Sequence, residues 1–72
     1  MAIYRMLEGM AFDEPSVKAM TTAYELVLVD LGLVDRNDPL TELIASKIIT
    51  SFQMGERDPE RLRELTLQDI RE

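Results

Sequence analysis

Apolar residues recur along this chain in three blocks at helical spacing. In the first block, Val17, Met20, Tyr24, Val27, Leu28 and Leu31 fall within about 100° of arc at 100° per residue, one core-facing stripe. That spacing predicts a helix over about 14–31. In the second, Leu40, Ile44, Ala45, Ile48, Ile49 and Phe52 form a broad apolar face, with Glu42, Ser46, Thr50 and Gln53 opposite. This predicts a central core helix over about 39–54. Propensity alone would allow Ile48-Ile49-Thr50 as a strand, but the helical period and the flanking caps decide against it. The third block is short and laced with Glu60, Arg61, Arg63 and Glu64. Its spacing directs Leu62 and Leu65 one way and Leu67 and Ile70 another. It predicts a helix over about 59–68 that packs on the first two and frays near its end. Residues 2–10 carry Ile3, Met6, Leu7 and Met10 at helical spacing, interrupted by Gly9. They read as either a short helix or an irregular arm.

An acid and a proline precede each block: Asp13-Glu14-Pro15, Asp38-Pro39 and Asp58-Pro59. An Asp N-cap accepts a hydrogen bond from a first-turn N–H and favours the positive end of the helix dipole. Proline suits the first turn, where its missing N–H would have had no partner. Gly32 and Gly55 follow the first two blocks at the position where a left-handed residue closes a helix. Phe12 with Val17 fits a hydrophobic staple, and Leu28 with Leu33 fits the contact that accompanies a glycine cap. The repeated Asn-Asp-Pro and Arg-Asp-Pro strings read as shared capping grammar rather than an internal repeat.

These elements make an all-α fold: a small three-helix bundle, with a short fourth helix at the start as an option. The 72 residues form one domain. At this size only about 60% of the unfolded chain's surface is buried, and a single core contributes ~3–5 kcal/mol net. Small scaffolds usually add disulfides, a metal or a second subunit. With no cysteine and no histidine, disulfides and the best zinc ligands are absent. No calcium-loop spacing of acids occurs. Association with a second copy is the staple left open.

Charge narrows the partners. Fourteen Asp and Glu against eight Lys and Arg give −6, and no segment is basic. Nucleic acid and anionic membrane surfaces are therefore disfavoured partners. The opening residues do not read as a signal peptide, and no apolar run approaches the ~20 residues of a membrane span. The expected compartment is the cytoplasm. No phosphate-loop, dinucleotide-loop or nucleophile-elbow motif occurs, and the usual bases and nucleophiles are missing. The sequence is read as non-enzymatic, with no catalytic, cofactor-binding or metal-binding residues and no small-molecule ligand.

The blocks Phe12-Asp13-Glu14-Pro15, Leu31-Gly32-Leu33, Arg36-Asn37-Asp38-Pro39-Leu40-Thr41-Glu42, Ala45-Ser46-Lys47-Ile48-Ile49 and Gly55-Glu56-Arg57-Asp58-Pro59-Glu60-Arg61-Leu62-Arg63-Glu64 occur in this order. Across residues 12–65 the chain resembles short uncharacterised bacterial proteins, mainly alphaproteobacterial, of about this length. One departure is visible, since that family carries Asp-Pro-Glu in the first block where Glu14 here precedes Pro15. The first cap is thus open between Asp13 and Glu14. The resemblance implies a bacterial cytosolic helical protein and carries no activity or site residues with it.

The chemistry-bearing candidates have ordinary structural readings. Lys47 beside the apolar face of the second helix reads as a stem covering the core edge with its charge in water. Arg57, Arg61 and Arg63 would suit a phosphate clamp, but Glu60–Arg63 and Arg61–Glu64 at i,i+3 explain most of the run as a solvated face. Asp30 opposes the dipole in the last turn of its helix and expects a cation, from Arg36 across the turn or from a partner. The sharper feature is surplus apolar surface: Ala19, Ala23, Leu26 and Val29 on the first long helix, Leu43 and Met54 on the second. These six residues are the expected interaction surface. The function expected is a small regulatory or protein-interaction module that binds a protein partner or itself, as a homodimer. The alternative is a helix-turn-helix DNA-binding module, with the third helix presenting Arg61 and Arg63.

Overall fold

The structure, a computed structural model, describes residues 2–33 and 38–71. Four helices follow in order: α1 (Ala2–Leu7), α2 (Glu14–Leu31), α3 (Pro39–Gln53) and α4 (Pro59–Arg71). No strand occurs among the described residues. The protein is an all-α helical bundle, and residues 2–10 contribute a short helix rather than an irregular arm.

The caps set the boundaries. Asp13 is extended and its Oδ1 accepts from the Ser16 N–H at 3.0 Å, so Asp13 is the first cap and Glu14 the first helical residue. Gly32 closes α2 at φ 67°; its N–H reaches the Val29 carbonyl at 3.1 Å, and the Leu33 N–H reaches Leu28 at 3.0 Å. That pair of bonds is the Schellman arrangement, which needs the left-handed residue supplied here by glycine. Asp38 Oδ1 accepts from the Leu40 N–H at 2.9 Å, and Asp58 Oδ1 from the Glu60 N–H at 3.1 Å. α3 stops at Gln53, and α4 continues past the predicted 68 to Arg71. The extension follows from Ile70, which packs on the core, and from Arg71, whose charge suits the negative end of the helix.

α2 buries Met20, Tyr24, Val27 and Leu28 against Ile44, Ala45, Ile48, Ile49 and Phe52 of α3. α1 adds Ile3 and Leu7, and α4 adds Leu62. Burying each of the larger side chains contributes about 1.5–3 kcal/mol of transfer free energy. α3 packs on all three other helices, which accounts for its broad apolar arc, whereas α1 meets α3 and α2 but not α4. Tyr24 is fully enclosed, and Tyr4 on α1 stays half exposed. At the start of α2, Phe12 meets Phe52 edge-on, with ring centroids 5.7 Å apart. The Arg57 guanidinium lies over the same Phe52 ring, 4.1 Å from its centroid.

The faces of α4 differ from the sequence expectation. Leu62 does not pair with Leu65: it shares a buried face with Thr66, Leu67 and Ile70, while Leu65 stands apart beside Met54. Thr66 hides this face from a hydrophobic pattern because it is polar. Its hydroxyl donates to the Leu62 carbonyl at 2.8 Å, and so satisfied it is buried. Thr21 and Thr41 are buried in the same manner, donating to Lys18 and Asp38 carbonyls at 3.1 and 2.7 Å. The whole chain exposes 4690 Å², close to the roughly 4,600 Å² expected of a compact monomer of its mass.

Candidate interaction surface

The six apolar residues singled out in the sequence do not form one surface. Ala19, Ala23, Leu26 and Asp30 stand at i, i+4, i+7 and i+11 and so form one ridge along α2. α4 reaches this ridge: Arg63 Nε donates to Asp30 Oδ2, and Arg63 Nη2 to Asp30 Oδ1 at 3.4 Å. The α2–α4 contact is the most extensive in the fold. Ala23 is accordingly fully buried and Ala19 half-buried against the core. Both leave the exposed set, because small side chains here are what let α4 lie close to α2. Leu26 remains half-buried at the edge of the seam.

Three of the six stay exposed: Val29 at 77%, Leu43 at 47% and Met54 at 84%. Val29 points outward near the end of α2. Leu43, Lys47, Thr50 and Met54 form a ridge on the outward side of α3, about three turns long. At its far end an open groove runs between Met54, Ser51 and Glu56 on one side and Leu65 and Asp69 of α4 on the other. A second groove lies between α1 and α2, lined by Tyr4, Pro15, Val17 and Thr21, with Glu14 and Lys18 at its rim.

The basic candidates are engaged within the chain. Arg63 Nη1 also donates to Glu60 Oε2 at 2.9 Å, and Arg61 Nη1 to Glu64 Oε2 at 2.9 Å, the two i,i+3 pairs read from the sequence. Arg61 also faces Glu56 at 4.0 Å. Asp30 thus finds its cation on α4; Arg36, the cation expected from sequence, lies outside the described residues. Hydrogen bonding and charge from Asp30 push the Arg63 guanidinium further toward its protonated form. Lys47 is partly covered and meets Asp69 of α4 at 3.7 Å. Sequence reasoning missed Asp30–Arg63 and Lys47–Asp69, since no local signal links residues so far apart in the chain. Among the described residues, no group of three or more His, Cys, Asp or Glu is placed to hold a metal ion. No helix among them is long and apolar enough to cross a membrane.

Asp13 supplies a pH-dependent contribution. Hydrogen bonds from Ser16, side chain first and backbone N–H second, hold its carboxyl below the ordinary 3.8. A group depressed in the folded state contributes stability above its unfolded value and loses it as pH falls through the lower folded value. Asp13→Asn keeps a cap acceptor but does not titrate. We expect the variant to lose helicity less steeply than wild type below pH 3.8, followed by circular dichroism. Superimposable acid transitions would remove Asp13 as a contributor. No protein-family model, curated protein or solved structure matches this chain.

Proposed function

We propose that this chain is a non-enzymatic, cytosolic protein-interaction module of bacterial origin that self-associates as a homodimer. The observation that carries the reading is the exposure of Val29 and Met54 on a bundle whose surface is that of a compact monomer. Their outward placement therefore belongs to the finished fold and is not left over from loose packing. Contiguous apolar patches rimmed by polar residues mark association surfaces. Leu26 extends the Val29 patch, and Leu65 extends that of Met54. The DNA-binding alternative has less support, because acids of the same chain already occupy Arg61 and Arg63.

Sedimentation of wild type, Val29→Glu and Met54→Glu tests the reading. Wild type is expected above its 8.3 kDa monomer mass, and at least one variant is expected at that mass with unchanged helicity. A wild-type chain that stays monomeric up to ~1 mM, where even a 4 kcal/mol association would show, would refute self-association.

A further inference from the structure

The first helix is the least autonomous part of this fold. α1 has six residues, well short of the ~12–15 that a helix needs to persist alone in water. It is therefore helical because of what it sits on. Ile3 is fully buried and Leu7 nearly so, with Met6 packed beside them. These are anchors at i, i+3 and i+4, the pattern by which an amphipathic helix fills an apolar groove. Tyr4, Arg5 and Glu8 are exposed and make no ion pair or side-chain hydrogen bond among the described residues. Among its described side chains, Ile3, Met6 and Leu7 hold α1 on the bundle.

Its seat can be located. α1 packs chiefly on α3, less on α2 and not on α4. α4 approaches α3 on the Lys47 side, through Asp69. Ala45 and Ile49 are buried on the opposite flank of α3, one turn apart. The apolar face of α3 turned away from Lys47, which carries Ala45 and Ile49, is the face that α2 and α1 share. The link back to α2 is exposed from Glu8 to Ala11 and contains Gly9.

We propose that α1 is exchangeable: the α3 seat accepts the α1 of a second copy, giving a reciprocally exchanged dimer. Everything that holds α1 in its own chain is available unchanged from a neighbour, and only the exposed link favours the closed form. Exchange of an identical element is a low-cost route to a dimer. A short flexible link sets an effective concentration in the millimolar range, so exchange competes when the chain approaches that concentration. This inference goes beyond the Val29 and Met54 surface and uses different residues.

The chain has no cysteine, so Tyr4→Cys gives a unique site for a nitroxide label. Full-length labelled chain is mixed with an equal amount of unlabelled, ¹⁵N-enriched full-length chain at ~1 mM, the range set by the link. The expected result is selective broadening of the Ala45 and Ile49 amides in the ¹⁵N copy. A dimeric sample without that broadening overturns exchange and leaves the apolar-face reading standing. A broadened dimer that survives both Val29→Glu and Met54→Glu overturns the apolar-face reading and supports exchange. A chain monomeric throughout, with no broadening, overturns both.

A second measurement guards against a label that disturbs α1. A fluorescent peptide of residues 1–12 is titrated into wild type and into full-length Ile3→Glu/Leu7→Glu, whose own α1 cannot occupy the seat. The peptide should bind the variant at least about tenfold more tightly, because the closed form masks the seat in wild type. No binding to a variant whose remaining helices are folded overturns the proposal.

Discussion

Phe52→Ala is expected to leave the chain largely unfolded at 25 °C. Replacing a buried phenylalanine by alanine costs about 3–5 kcal/mol through lost transfer free energy and the cavity left behind. A core of this size contributes only ~3–5 kcal/mol net, so one such substitution spends the whole margin. Phe52 also carries two further contacts, the edge-on ring of Phe12 and the guanidinium of Arg57. Aromatic pairs add about 0.5–1.5 kcal/mol beyond area. Far-UV circular dichroism and urea titration check this directly. Phe12→Leu and Arg57→Ala apportion the loss, and each should be much milder than Phe52→Ala. A folded Phe52→Ala chain with a cooperative urea transition would show that the α2–α3 core is sturdier than its size implies.

Ala23→Leu is the second large effect, expected to destabilise the fold by about 1–3 kcal/mol through overpacking. The argument rests on the ridge formed by Ala19, Ala23, Leu26 and Asp30, over which α4 lies. Additional carbons at a fully buried position must displace α4, and with it the approach of Arg63 to Asp30. Val29→Leu, outward on the same helix, is the control and should change stability little. The two variants separate the fold seen here from the surface expected by pattern alone. If Ala23 lay on an exposed face, both substitutions would be equally tolerated. For a domain of this length a loss of 1 kcal/mol lowers the thermal midpoint by roughly 4–8 °C, readily measured by calorimetry.

The contrast between these residues shows what a sequence of this kind encodes locally and what it does not. Both ends of α2 were legible because Asp13 and Gly32 make hydrogen bonds to residues within five positions of themselves. The α3 face from Leu40 to Phe52 was legible because it is apolar at nearly every inward position. The α4 face was not, because Thr66 at its centre counts as polar until its hydroxyl is seen to bond Leu62. The six-residue surface was misjudged at Ala19 and Ala23 because a helical wheel marks which side of one helix is apolar but not which neighbour covers it. α4 arrives on that side only through tertiary contact, and the tie between Asp30 and Arg63 spans 33 positions. Val29, Leu43 and Met54 stay exposed because no neighbouring helix covers their side.

The separation of the two tyrosines has an optical consequence. The chain contains no tryptophan, so emission excited to the red of the phenylalanine band comes from Tyr4 and Tyr24 alone. Tyr24 is sealed in the core that α2 and α3 share, and Tyr4 stands half in solvent on α1. A soluble quencher therefore samples the first helix in the folded state and the core only once the core opens. The molecule carries its own pair of unlabelled reporters, one for the seating of α1 and one for the integrity of the bundle.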